Sequence, residues 1–551
     1  MTIQREQATF VTREPVDFVV VGSGAAGGVV ARELSMAGLD VVVLEQGPYV
    51  KPDQFNHDEL GERDNRGFGH TGNNDPQSFR ETEDDEAEQR RALYYLRVVG
   101  GTTLHFTANY WRFHEVDFIE RSLLGPMAGT GLADWPITYD ELEPYYTKVD
   151  WEVGVSGAPG PHSPPRSRPY PVPPLPVKSS GVLLERAARQ LGWHATPAPM
   201  AILSQPYDGR PSCIHCGFCF AFGCEVNAKS SSLATMIPQA EATGHCEIRP
   251  ESTVFRLETD AAGRVTEVVY FDRDGARQAQ RARAVVLCAN GAETPRLLLM
   301  SESSRFPDGL ANASGKVGRY LMGNGQVHAL GYFEHPLNEY KSVQVTRIIQ
   351  DFYNSDPARG FYGGGGIDAR FQFFPMGFAR SGLPPDAPKW GAEYKRMLGQ
   401  YYNRTIDVNG HTTTIPLASN GISLDPNLKD DYGRPGIRVT YKDHPDDIAV
   451  QEWFLERCKE LVDAMAPLKT WQRAVRPTRG HAHLLGTCRM GNDPNESVVD
   501  KYHRAHDVPN LFICDGSSFV SSGRGQPTMT IQALAFRAAE HMIEFAKRGE
   551  I

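Results

Sequence analysis

Residues 16–48 read VDFVVVGSGAAGGVVARELSMAGLDVVVLEQGP, and few folds accommodate such a stretch. The apolar run 16–21 has the character of a buried strand. Gly22, Ser23, Gly24, Ala25, Ala26 and Gly27 follow at once as G-x-G-x-x-G. Residues 28–37 repeat at helical spacing, and 41–44 form a second apolar strand ending in Glu45. Gly22 permits the tight turn, Gly24 lets the backbone approach a pyrophosphate beside Ala25 and Ala26, and Gly27 allows the helix to pack close to the strand. The N–H groups at the helix start then face two phosphates. Glu45, about twenty residues further on, is placed to accept hydrogen bonds from ribose hydroxyls. The stretch predicts an α/β chain opening on a dinucleotide-binding β-α-β unit, and leaves FAD and NAD both open.

A chain of 551 residues is too long for one core, so at least two domains are expected. Its net charge of −10 argues against a nucleic-acid or anionic-membrane surface. No apolar run approaches the roughly 18 residues of a membrane span. Residues 1–15 lack an apolar core and a twin-Arg pair, so a cytoplasmic location is expected, with periplasmic export on a signal-bearing partner as the alternative.

Beyond the opening unit, the polar stretch 51–91 carries the acidic run ETEDDEAE at 81–88, a solvated loop or helix face, or alternatively a lid or docking loop. Residues 156–180 are Pro-rich and read as an extended strap. Helices are expected near 142–154, 181–191, 232–242, 291–301, 444–466 and 529–547. Strands at 253–257, 265–271 and 284–288, separated by DAAG and DRDG, read as a β-meander. The Gly-rich, aromatic region 324–441 has mixed strand patterns and is where a substrate domain is placed. Its Phe361, Tyr362, Phe371, Phe373 and Phe374 suit either sugar stacking or an ordinary core.

Five ordered motifs resemble the glucose-methanol-choline flavoprotein oxidoreductases. Gly100-Gly101-Thr102-Thr103-Leu104-His105-Phe106-Thr107-Ala108-Asn109 is similar to the first signature of that family, and Gly291-Ala292-Glu293-Thr294-Pro295 to the second. Gly318-Arg319-Tyr320-Leu321-Met322 matches a segment that in the family usually continues Asp-His-Pro; here it continues Gly323-Asn324-Gly325. His483-Leu484-Leu485-Gly486-Thr487 and Asp515-Gly516-Ser517 resemble the C-terminal block. Within the family the resemblance is nearest to bacterial FAD-dependent sugar dehydrogenase catalytic subunits, then to pyranose oxidases.

The resemblance implies FAD rather than NAD, in a Rossmann-like domain built from 14–120, 181–325 and 476–551. A discontinuous substrate domain, a β-sheet with flanking helices, would comprise 121–180 and 326–475. Carried over residue by residue, the FAD site comprises Gly22, Gly24, Ala25, Ala26, Gly27 and Glu45, then Gly100, Gly101, Thr102, Thr103, His105, Thr107 and Asn109. Val254, Ala289, Asp515, Gly516, Pro527 and Thr528 complete it. His105 matches a His that some members bond covalently to the flavin 8-methyl; the covalent and the merely packed state are both open. His483 is the implied base, removing the hydroxyl proton as hydride leaves for flavin N5, with His481 behind it. Gln526 stands where sugar enzymes carry Asn, so it either assists at the substrate hydroxyl or packs at the helix entrance.

Cys213, Cys216, Cys219 and Cys224 fall within twelve residues as C-x2-C-x2-C-x4-C. The spacing is near that of iron–sulfur ligands, and its setting is similar to the [3Fe–4S] segment of bacterial sugar dehydrogenases. A [3Fe–4S] or [4Fe–4S] cluster, a zinc site and unligated cysteines, reduced in a tight loop or joined in an incidental disulfide, are the alternatives. The expectation is oxidation of a secondary hydroxyl of a sugar or glycoside to a keto sugar. The electron acceptor would be oxygen, a quinone or a haem subunit, and a small partner subunit is a further expectation. A non-sugar alcohol, or an NAD-linked dehydrogenase, is the alternative.

Overall fold

Strands that are apolar on both sides must be covered on both sides. Val16–Val21 and Val41–Leu44 are buried along almost their whole length. The computed structural model describes residues 15–64 and 76–551; residues 1–14 and part of the polar stretch, 65–75, lie outside the described residues. Helix Ala25–Met36 links the two strands and packs against the C-terminal helix Thr528–Lys547 and against Met236–Ala242. The parallel sheet runs Cys246–Arg249, Val41–Leu44, Val16–Val21, Arg277–Leu287, with Leu511–Ile513 on the far side of the last. Arg277–Leu287 serves two sheets. Its first half closes the meander with Val265–Phe271 and Thr253–Thr259, and its second half enters the parallel sheet. It begins earlier than its apolar end predicts because the first half alternates exposed polar and buried side chains.

A second sheet is antiparallel throughout: Lys469–Gln472, Gly325–Tyr332, Thr405–Thr412, Gly365–Arg370, Arg347–Ile349, Ala195–Pro197. Strand side chains alternate between faces. Val327, Ala329, Ile367, Ala369, Ile406 and Val408 pack under helix Pro445–Ala464. Gln326, Asp368, Arg370 and His411 therefore project from the opposite face, toward the parallel sheet's carboxyl ends. A third, small sheet joins Gly421–Lys429, Pro435–Thr440, Gln77–Arg80 and Glu88–Gln89. The acidic run is the turn of its last hairpin, tied down where Glu83 pairs with Arg319 at 2.8 Å and Glu81 with Arg479 at 3.6 Å.

Two helices pack on the opposite side of the molecule from that assigned by the sequence. Tyr139–Val153, placed in the substrate half, packs on Thr528–Lys547 within the flavin-side core. Ser179–Leu191, placed in the flavin half, covers the second sheet, and the strand Ala195–Pro197 joins that sheet's edge. The Pro-rich strap between these helices is the crossing, and composition alone does not reveal on which side a crossing begins. Among the described residues no helix is long and apolar enough to cross a membrane.

Candidate active site

The glycine turn forms the first wall. Gly22 has φ +93°, and a Cβ there would lie 2.6 Å from the Cys288 carbonyl oxygen; at Gly27 a Cβ would fall onto the Gly22 carbonyl. Gly24 differs. The nearest atom to a Cβ there is Gly101 Cα, at 3.9 Å, so its missing side chain leaves open space between the helix start and the second glycine turn. Helix Ala25–Met36 has no side-chain cap and no acid in its first turn, and its first N–H groups point into that space. The result is a cradle for a pyrophosphate. Glu45 underpins it: Oε2 accepts from the Ser23 N–H at 3.0 Å and Ser23 Oγ at 2.8 Å, and Oε1 accepts from the Gly47 N–H at 3.0 Å.

From this cradle a continuous cavity of about 440 Å3 runs to the polar face of the second sheet. It is bordered by residues expected at the cofactor from every stretch of that set, from Gly22 to Thr528. Gly27 and Gly100 do not border it. Gly27 serves the helix–strand contact, and Gly100, at φ +94°, donates its N–H to Ser23 Oγ at 3.1 Å. Asn109 borders the cavity and is buried, yet neither its amide nitrogen nor its oxygen has a partner among the described residues. A desolvated amide with both ends unmet is costly, and it fits a heterocycle edge that both accepts and donates. His105 also borders the cavity, its Nδ1 donating to the Thr102 carbonyl at 3.1 Å. Asp515 borders it too, while its carboxylate receives the Asn290 N–H at 2.9 Å, Thr294 Oγ1 at 2.6 Å and the Ser517 N–H at 2.8 Å.

At the far end stands His483. Its Nδ1 lies 2.7 Å from Asn324 Oδ1. The other end of that amide fixes its orientation: Nδ2 donates to the carbonyls of Thr412 at 3.2 Å, Ser522 at 3.4 Å and Gly523 at 3.2 Å. Oδ1 therefore faces the imidazole, Nδ1 carries the proton, and Nε2 keeps its lone pair. Burial first, then His411, His481 and Arg370, push the His483 pKa down to about 3. The ring is neutral at physiological pH, the state a general base needs. His481 is buried, outside the cavity, and packs against Gly323, where a Cβ would overlap its ring. It supports the turn that carries Asn324.

Gln526 borders the same cavity. Its approach depends on Gly525, at φ +128°, where a Cβ would lie 2.8 Å from His411 Cβ. Arg524 anchors the loop: fully buried, it ion-pairs with both Asp117 and Glu120 and donates Nε to the Tyr353 carbonyl. Opposite stand Gln326, Arg370 and Gln372, none of them singled out by the sequence. Arg370 is clamped by Asp368, to which its Nε donates at 2.6 Å, and lies 2.7 Å from His411 Nε2. The five aromatics considered for stacking border no part of this cavity. Phe371 and Phe373 belong to an apolar cluster with Leu330 and Phe378, Phe361 packs against the core under the second sheet, Phe374 stacks on Phe218, and the Tyr362 hydroxyl donates to Glu120.

Two family models described as GMC oxidoreductase match this chain, one over residues 16–322 and the other over 416–535. The chain belongs to the GMC oxidoreductase family. It is an FAD-dependent oxidoreductase acting on CH–OH groups. Among the most similar relatives of this GMC oxidoreductase is 2-methyl-1,2-propanediol dehydrogenase from Mycolicibacterium austroafricanum, 35% identical over 96% of this chain and 95% of the relative. The fructose dehydrogenase large subunit of Gluconobacter japonicus is 29% identical over 97% and 98%. Of solved structures, pyridoxine 4-oxidase from Mesorbium loti shares the fold with a TM-score of 0.65 at 19% identity, covering 96% of this chain and 99% of that one.

In this GMC oxidoreductase the cysteine loop abuts the flavin motif. The Ala221 N–H donates to the His105 carbonyl at 2.8 Å, and Lys229 Nζ donates to the carbonyls of Phe106, Cys219 and Phe222 at 3.3, 2.6 and 2.8 Å. Cys213, Cys216, Cys219 and Cys224 line one small cavity, all as free thiols. Among the described residues no three of their sulfurs lie within 4.8 Å of one another. Backbone N–H groups of His215 and Lys229 donate to Cys213 and Cys224 sulfurs at 3.3 and 3.4 Å, while burial pushes the Cys213 thiol up to about 11.

Proposed function

We propose that this GMC oxidoreductase oxidises a secondary hydroxyl of a sugar or glycoside to the carbonyl, with His483 as base. The reading rests on one arrangement: a neutral imidazole with its Nε2 lone pair available faces a wall of Gln326, Arg370, Gln372 and Gln526 in a single cavity. So many hydrogen-bonding side chains suit a polyhydroxylated substrate, and a fructose dehydrogenase subunit is among the relatives. FAD, held by the cradle, Glu45, Asn109 and Asp515, supplies the hydride acceptor. His483 Nε2 removes the hydroxyl proton as the carbon–hydrogen bond breaks, and Asn324 accepts from Nδ1 as the ring becomes cationic. Gln526 orients the hydroxyl by its amide.

A non-sugar alcohol is the second reading. The diol relative is 35% identical, and a 2-methyl-1,2-propanediol has one oxidisable carbon, C1, because C2 bears no hydrogen. Anaerobic bleaching of the bound flavin by a panel of sugars, glycosides and 1,2-diols separates the two; bleaching by diols and by no sugar overturns the sugar assignment. Air or a quinone added afterwards identifies the acceptor.

Two features concern the electron path. The cysteine loop is proposed to hold an iron–sulfur cluster through Cys213, Cys216, Cys219 and Cys224, passing single electrons to a quinone or a haem partner. Iron and acid-labile sulfide in anaerobically purified protein test it, and absence of both removes the relay. Flavin released into the supernatant on acid denaturation excludes a covalent bond to His105.

A further inference from the structure

Three metal-ligating side chains that do not border the cavity meet at the edge of the second sheet. Strands Ala195–Pro197 and Arg347–Ile349 pair antiparallel with Ala195 opposite Ile349, so His194 and the 350–351 turn emerge at the same end. The His194 N–H lies 3.2 Å from both oxygens of Asp351, and His194 Nδ1 lies 2.8 Å from Asp351 Oδ1. The Pro-rich strap brings the third group. Gly160 rests on Thr196, where any Cβ would overlap the Thr196 hydroxyl, and the turn that follows presents His162, its Nε2 3.5 Å from Asp351 Oδ1. One ligand atom from each of the three residues lies within 4.8 Å of the other two.

We propose that His162, His194 and Asp351 form a binding site for a divalent transition cation of the zinc type, which staples the strap to the edge of the second sheet. Two imidazoles and a carboxylate are the donor set of Zn2+ and its neighbours rather than of Mg2+ or Ca2+, which take oxygen. Ligand bonds of about 2.0–2.2 Å in a tetrahedral shell put ligand atoms about 3.3 Å apart, so the cluster needs displacements of under an ångström to 1.5 Å. Asp351 is only 12% exposed, and among the described residues its ionic partners are these two histidines, with no Lys or Arg. A dication seated between the three groups would face this carboxylate directly. Both histidines are half-exposed, at 41% and 53%, so the ion has a path in and water can fill the remaining positions.

The test is calorimetric titration of ZnCl2 into tag-free, flavin-loaded protein stripped with EDTA, with His162→Ala, His162→Gln and His194→Ala alongside. Flavin content and far-UV circular dichroism confirm that each variant is folded. Loss of one zinc equivalent, or at least ten-fold weaker binding of it, in the variants on both histidines supports the site, with any equivalents held by the cysteine loop unchanged. Identical stoichiometry and affinity in wild type and variants overturns it, as does displacement of that equivalent by equimolar MgCl2.

Discussion

Asn324 decides which nitrogen of His483 is basic, and it does so because three backbone carbonyls leave its amide a single orientation. Asn324→Leu removes the acceptor at similar volume. Flavin content should be retained, while the rate of anaerobic flavin reduction at saturating substrate falls about 10- to 100-fold. That loss is smaller than the roughly 10²- to 10⁴-fold expected when His483→Ala removes the base itself; unchanged stopped-flow rates in Asn324→Leu would refute the tautomer argument. The depressed pKa of His483 has a further sign. Because burial and the neighbouring positive groups hold it near 3, the basic form persists as pH falls through the ordinary range near 6.5. The profile of kcat/KM, which reports the free enzyme, should stay flat from pH 8 to 5 as far as His483 is concerned; a limb centred at 6.5 contradicts the assignment.

The glycine turn makes a prediction at the scale of an element, because its glycines are small for different reasons. Gly24→Ala meets nothing in the protein nearer than 3.9 Å, so the chain should fold at near wild-type stability but purify with much less flavin. Gly27→Ala drives a Cβ onto the Gly22 carbonyl and should lower the melting temperature whether or not flavin is present. Absorbance at the flavin band and a thermal scan of both variants check the contrast. This turn was fully legible in the sequence, since every constraint on it is local. The helices at 181–191 and 444–466 were legible too, to within a few residues, from periodicity and turn residues, and so was the meander apart from the early start of its third strand at Arg277. The polar face of the second sheet was not. Asp368 and Arg370 share a strand, but both meet His411 on the neighbouring one, and a sequence does not show which strands become neighbours. Asn324 was visible only as a departure, the place where the family's Asp-His-Pro gives way to Gly-Asn-Gly; its role needed the contacts to Thr412, Ser522 and Gly523. Tyr139–Val153 was found as a helix but assigned to the wrong side, because amphipathicity says that a face is buried and not against what.

For the whole molecule, buried neutral histidines set the response to acid. His481 and His503 are held near pKa 4 chiefly by burial. The unfolded chain takes up their protons near 6.5 and the folded chain only near 4, so each withdraws stability as pH falls between those values and is silent above. Removing His503 by an Asn replacement should flatten the loss of unfolding free energy between pH 6.5 and 4.5 by on the order of 2 kcal/mol, measured by denaturant titration; an equally steep loss sinks the attribution. The pairing of Leu511–Ile513 with Arg277–Leu287, and of the last helix with the first, has a consequence in time. During synthesis the nucleotide-binding half waits for this strand and this helix until residues up to 547 have left the ribosome. Gln526, Pro527 and Thr528, which border the cavity, arrive equally late. Flavin capture thus follows the emergence of residues 511–547, and a nascent chain stalled before residue 511 should emerge colourless.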